Sequence, residues 1–226
     1  MTVKNCEKWI QSDAVCFDVD STVCQDEAID ELAEFVGKGD IIRRFTANAM
    51  DGNLNFRESL QKRMEIISVT KQKLDEFLLK HPIKLTLGIS ELVARLQKRG
   101  VAVYLVSGGF KEIIYPVARL LNISEDNVFA NRIIFDANGK YVGFDPNEPT
   151  SDSGDKSKGK PLVCQLLKQK YGYKCLTMVG DGATDLEAYP PADLFIGFGG
   201  NQVRERVRKA SPWYVTSFTE LIDALR

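Results

Sequence analysis

Two carboxylates two positions apart, Asp18 and Asp20, close the short apolar run Ala14-Val15-Cys16-Phe17. Alternate side chains of a strand share a side, so this spacing predicts that both acids project together where the strand runs out. Like charges held that way need a cation, a shared proton or a substrate that one of them attacks. An Asx-type turn would also account for them, so other residues must decide. Ser107-Gly108-Gly109 follows the apolar residues 101–106, where glycines let the backbone approach an anion and the serine adds a hydroxyl. Lys160 opens an apolar helix with Leu162, Val163, Leu166 and Leu167. A cation there is unfavourable by up to ~1 kcal/mol, a cost that is tolerable if it faces a phosphate. Asp181 lies between Gly180 and Gly182, and Asp185 follows four residues on, which puts both acids on one face of an opening helix. N-capping explains one of them and not readily both.

The chemistry of these groups is complementary. Carboxylates from two loops suit a hard cation, Mg²⁺, which takes few protein oxygens and keeps several waters. Ser107 and Lys160 then hold a phosphoryl group beside it. Asp18 is left free to attack.

Elements that could position such groups are visible in the periodicity. Residues 26–81 are helical throughout, with apolar faces at Ile29/Leu32/Ala33/Val36, Ile41/Ile42/Phe45/Ala49, Phe56/Leu60/Met64/Ile67 and Leu74/Phe77/Leu78. From residue 85 strands alternate with helices, which implies right-handed crossovers and a doubly wound parallel sheet. The expectation is an α/β core made of 1–24 and 85–226, with a helical-bundle cap, 25–84, inserted after the first strand. Asn138-Gly139 between two short apolar runs predicts a hairpin. Pro116 is expected to start or kink the helix after residue 110. The polar stretch 147–159 reads as a mobile loop, and residues 201–210 read as a helix.

Composition excludes several classes. Thirty basic against 31 acidic residues leave no basic stripe for nucleic acid or a membrane surface. No transmembrane run or signal-peptide core is apparent. Five cysteines without a C-x-x-C pair fit a reduced, cytoplasmic protein. Cys24 lies near enough to the acids to be oxidised, although inert packing is the expectation.

Asp18-Val19-Asp20-Ser21-Thr22, Ser107-Gly108-Gly109, Lys160 and Gly180-Asp181-Gly182-Ala183-Thr184-Asp185 resemble, in order, the four motifs of the haloacid dehalogenase superfamily of phosphotransferases. The stretches 17–23, 29–33, 107–110, 179–185 and 195–201 are similar, more closely, to the phosphoserine phosphatase family, and the resemblance spans nearly the whole chain. It implies a Mg²⁺-dependent hydrolysis of O-phospho-L-serine through a phosphoaspartate, the last step of serine biosynthesis. Asp18 matches the nucleophile, and Asp20 the acid that becomes the base. Asp18, the Asp20 carbonyl and Asp181 would hold the metal, with Asp185 in support. Ser107, Gly108, Gly109, Lys160 and Thr184 match the phosphate-binding positions. Glu27 matches the ammonium-binding position of the cap, Arg63 the carboxylate-binding one, and Met50 and Phe56 its apolar walls. Asp51 stands where the family has glycine, so this carboxylate could alter substrate affinity or cap motion. The loop before Lys160 is longer than the family's, which leaves Lys158 as the other candidate for that role. A homodimer rests on the resemblance alone. Two other readings stay open: a phosphatase of the same build acting on a different small phosphomonoester, and a non-catalytic phosphoaspartate receiver. The cap insertion and the Asp-x-Asp spacing speak against the receiver.

Overall fold

The computed structural model describes residues 2–50, 55–155 and 157–226, and the side chains of these except 47–50. A helix that the periodicity did not announce, α1 (Val3–Ile10), precedes β1 (Ala14–Phe17). Thr2 caps it, and Trp9 is driven into the core, where its indole N–H donates to Leu221 O at 3.1 Å. Then come four helices, α2 (Ala28–Phe35), α3 (Gly39–Met50), α4 (Phe56–Ile67) and α5 (Lys71–Lys80), with no strand between them among the described residues. The alternation that follows is α6 (Ile89–Lys98), β2 (Ala102–Phe110), α7 (Lys111–Leu120), β3 (Val128–Asn131), β4 (Ile133–Phe135), β5 (Tyr141–Phe144), α8 (Gly159–Tyr171) and β6 (Leu176–Gly180). The chain ends with α9 (Ala183–Glu187), β7 (Leu194–Phe198), α10 (Glu205–Ala210), β8 (Trp213–Val215) and α11 (Phe218–Asp223).

Six strands form one parallel sheet in the order β3-β2-β1-β6-β7-β8. This is the doubly wound α/β class expected from the alternation. Its central strands are apolar on both faces because helices cover both. Val15 and Phe17 belong to one buried cluster, Ala14 and Cys16 to the opposite one. Register brings the strand ends level: Phe17 of β1 pairs with Leu105 of β2 and with Val179 of β6. Everything that follows those residues therefore emerges at one edge of the sheet, where open α/β sheets gather ligands.

Helix α6 packs on the sheet, whereas helices α2 to α5 have their own core, built on Ile29, Leu32, Ile42, Leu60, Met64 and Phe77. Phe110, Ile133 and Phe144 complete it from outside the inserted segment. The β4–β5 hairpin thus belongs to the cap's packing as much as to the sheet's. Its turn places Gly139 at φ +74°, with Gly139 N–H donating to Asp136 O and Asp136 N–H to Lys140 O.

Several boundaries differ from expectation. Strand β1 stops at Phe17, and residues 19–23 form a wide helical turn with Ser21 at φ +54°. Asp18 and Asp20 therefore share a side through a turn and not through strand alternation. Ser107-Gly108-Gly109 lies within β2 as an irregularity, since the register against β3 shifts between Val106 and Phe110. Helix α7 starts only at Lys111, and Pro116 sits inside it without ending it. Residues 149–151 form a 3-10 turn with Thr150 and Ser151 buried, so part of the polar stretch 147–159 is packed. The last helix before β8 covers only Glu205–Ala210; residues 201–204 are irregular.

Trp9→Ala would empty a fully buried aromatic site that packs edge-on against Trp213 and does not line the cavity described below. It should lower unfolding stability by about 3–5 kcal/mol in a denaturant titration.

Candidate active site

At the level edge of the sheet a cavity of about 250 Å³ opens between the cap and the core. Asp18, Asp20, Ser107, Gly108, Gly109, Lys160, Asp181 and Thr184 line it from the core, and Glu27, Phe56 and Arg63 from the cap. The stretches singled out in the sequence therefore converge on one space. Met50's side chain and Asp51 lie outside the described residues.

Lys160 stands at its floor. It occupies the first turn of α8, where its partners are acids that follow two different strands: Asp18 Oδ1, just past β1, at 2.7 Å and Asp185 Oδ1, on α9 after β6, at 2.5 Å. All three side chains are nearly out of solvent, at 6%, 11% and 0% exposure for Lys160, Asp18 and Asp185. Burial alone would strip the proton from Lys160, but the two carboxylates outweigh it and hold its pKa well above the usual lysine range. Lys158 is the N-cap residue, exposed and paired with Asp152 at 2.8 Å. It does not line the cavity.

Asp18 Oδ1 also accepts from the Val19 N–H at 2.7 Å. Asp20 turns toward the cap, where Oδ1 accepts from Ala28 N–H at 2.8 Å. No cation contacts it among the described residues. Removal from water, then the charges of Glu27 and Asp18, push its carboxyl up to about 7. The two acids of one short turn are thus sorted by surroundings, one beside a cation and one beside anions.

Asp181 follows β6, accepts from Thr22 Oγ1 at 3.2 Å and pairs with Arg204 Nε at 2.7 Å. Asp185 caps α9 through Gly182 N–H at 2.9 Å. Burial pushes both carboxyls up, and the charge of Asp18 adds to it. Oxygens of Asp18, Asp181 and Asp185 lie within 4.8 Å of one another. Such a buried, all-oxygen triad suits a hard divalent cation. The Asp20 carboxyl is not part of this triad.

On the cap side, Glu27 Oε1 accepts from Ser21 Oγ at 2.9 Å and meets Arg204 at 3.3 Å. Arg63 is 19% exposed and pairs with Asp30 at 2.5 Å, while its Nε is buried without a partner among the described residues. Phe56 presses on the glycine loop so closely that a Cβ at Gly108 would stand 2.6 Å from Phe56 Cζ. Ser107 Oγ accepts from Gly109 N–H at 2.9 Å. Cys24 is buried, with its thiol pushed up to about 12 chiefly by that burial, in keeping with inert packing.

Arg204 was not found by sequence reasoning, although it joins the acid triad to Glu27. Its only signal was position, three residues after Asn201, in a stretch whose helical pattern concealed it. Asn201 itself holds the Ser21–Cys24 turn through Ser21 O at 3.1 Å and Thr86 Oγ1 at 2.7 Å.

An acid whose folded pKa exceeds its unfolded value loses stability as pH rises from the unfolded value to the folded one. For Asp20 that window runs from about 4 to about 7. Asp20→Asn should therefore raise the Tm of chelator-treated protein at pH 8 by about 2–4 °C, and much less at pH 4. Equal shifts at both pH values would contradict the assignment.

Residues 12–193 match the family model described as haloacid dehalogenase-like hydrolase. A curated phosphoserine phosphatase of Bos taurus is 52% identical over 214 residues, 95% of this chain and 93% of that protein. A substrate-bound phosphoserine phosphatase structure aligns with a TM-score of 0.80 at 26% identity, over 96% of this chain and 99% of the other. DsGPDH of Dunaliella salina aligns with a TM-score of 0.85 at 35% identity over 100% of this chain, which spans only 38% of that longer protein. With its fold, its ordered motifs and the convergence of those motifs on one cavity, the chain belongs to the haloacid dehalogenase-like hydrolases and, within them, to the phosphoserine phosphatase family.

Proposed function

We propose that this chain hydrolyses O-phospho-L-serine to L-serine and phosphate through a phosphoaspartate on Asp18, as a Mg²⁺-dependent cytoplasmic enzyme of serine biosynthesis. The observation that carries this reading is the division of the cavity. Its floor carries acids, a lysine and a glycine loop suited to a metal-bound phosphoryl group. Its roof carries one acid, Glu27, and one half-engaged guanidinium, Arg63. A substrate with a phosphate at one end, and an ammonium and a carboxylate at the other, fits that division.

In this reading the Ser107 hydroxyl, whose oxygen is held by the Gly109 N–H, donates to a phosphoryl oxygen, and Lys160 neutralises charge on the phosphoryl group. Asp18, held at Oδ1 by Val19 N–H and Lys160, attacks phosphorus as the P–O bond to serine breaks. Asp20, protonated below about pH 7, gives its proton to the serine oxygen. Its carboxylate then takes a proton from water, which attacks the phosphoaspartate and returns Asp18. Mg²⁺ on Asp18, Asp181 and Asp185 would supply charge neutralisation at the same oxygens. Glu27 receives the ammonium. The free edge of Arg63 receives the carboxylate, for which a planar fork is suited. Phe56 shuts water out from the side of Gly108.

Asp18→Asn should lower phosphate release from phospho-L-serine by more than about 10³-fold, and chelation should abolish it until Mg²⁺ is restored. Retained turnover in the variant would refute the nucleophile assignment. Arg63→Ala should raise KM for phospho-L-serine by roughly 10–100-fold, the worth of a charge-assisted pair, and leave p-nitrophenyl phosphate within a few-fold. An unchanged preference between the two substrates would refute the cap assignment.

A further inference from the structure

Asn131 plays no part in the chemistry above, yet it is fully buried at the end of β3. Its amide orientation is fixed by its partners. Nδ2 donates to Gly108 O at 2.8 Å, and a carbonyl only accepts. Oδ1 therefore faces the opposite way and accepts from Thr150 Oγ1 at 3.3 Å. Gly108 lies where β2 and β3 lose register, so the strand ladder offers its carbonyl no regular partner. The Asn131 side chain replaces that missing rung.

Thr150, 2% exposed, belongs to the 3-10 turn Pro149–Ser151. That turn is anchored at its start by Glu148, whose Oε1 meets Lys111 Nζ at 2.5 Å, and by Ser151 Oγ donating to Pro146 O at 3.0 Å. Past its end, the Asp152 carbonyl lies against Gly159, where a Cβ would stand 2.7 Å from that oxygen. Gly159 has φ +61° and directly precedes Lys160. The turn is thus wedged between the two parts of the floor that face a phosphoryl group: the glycine loop on one side and the start of α8 on the other.

We propose that Asn131, held by Thr150, is a positioning residue for phosphate recognition. It sets the Gly108–Gly109 peptide so that the Gly109 N–H, donating to Ser107 Oγ, holds that hydroxyl at the cavity. The proposal rests on the functional reading above, and concerns the phosphate half of the substrate only.

Inorganic phosphate and L-serine, the two products, separate the possibilities when their inhibition constants are measured on the Mg²⁺-loaded protein. Asn131→Ala should weaken phosphate about 10–100-fold, the usual effect of a sub-ångström to 1 Å misplacement, and leave L-serine within two-fold. Thr150→Val, which keeps the shape and loses the hydroxyl, should weaken phosphate about 3–10-fold, whereas Thr150→Ser should behave as wild type. This second pair decides the matter if Asn131→Ala does not fold. Unchanged phosphate inhibition, or equal loss for both products, would overturn the positioning role. A wild-type protein inhibited by neither product would instead undo the functional reading.

Discussion

The site depends on one buried ammonium. Lys160 is the cation that Asp18, at the end of β1, shares with Asp185, on the helix after β6. Removing either partner of a buried ion pair leaves an uncompensated charge and typically costs 3–5 kcal/mol, whereas replacing the whole set with apolar residues is often neutral. Stability therefore gives no reason to keep three ionic groups here. The position of Lys160 points the same way, since a cation in the first turn of a helix opposes the helix dipole. Its two short carboxylate contacts offset that cost and also fix where the ammonium sits relative to the strand ends.

The surroundings of that ammonium come from three separately packed cores. Two lie on the faces of the sheet and set the level of the strand ends. The third lies in the cap, and is completed by Phe110, Ile133 and Phe144. Phe110 ends the same strand that carries the glycine loop, so packing of the cap and placement of the loop share one residue. The two crossings between cap and core are also paired with each other: Cys24 bridges Leu85, and Gln25 N–H donates to Lys84 O at 2.9 Å. The cap is thus tied to the core at its root by backbone and at its rim by side-chain packing. Phe56 of the cap also meets Gly108 of the core directly.

How much of this was legible in the sequence follows from how local each feature is. Asp18, Asp20, Lys160, Asp181 and Asp185 stood out because acids and a lysine at the ends of apolar runs conflict with simple burial. The doubly wound sheet followed from alternating periodicity. Helix α1 was missed because its single buried anchor, Trp9, gives no periodic face. The turn at 149–151 was read as open loop because its residues are polar, yet its burial is decided by Asn131, which is 19 residues away from Thr150 in the chain. Arg204, and the contact that Thr22 makes, were invisible for the same reason. Each meets Asp181 only because parallel crossovers bring distant loops to one edge.

The spacing of Asp18 and Asp20 carries no information about which acid is which, and the structure shows why that distinction is tertiary. Val19 is the only residue between them, so local sequence treats both alike. Asp18 receives a backbone N–H and the ammonium of Lys160, supplied by a helix more than a hundred residues on. Asp20 receives one N–H from the cap and has Glu27 and Asp18 as its nearest charges. The surroundings of Asp20 favour its neutral acid. A cap that contributes both that N–H and that neighbouring carboxylate therefore does more than select a substrate. It helps set the protonation state of a group on the core, and the two parts of the molecule are chemically as well as sterically joined.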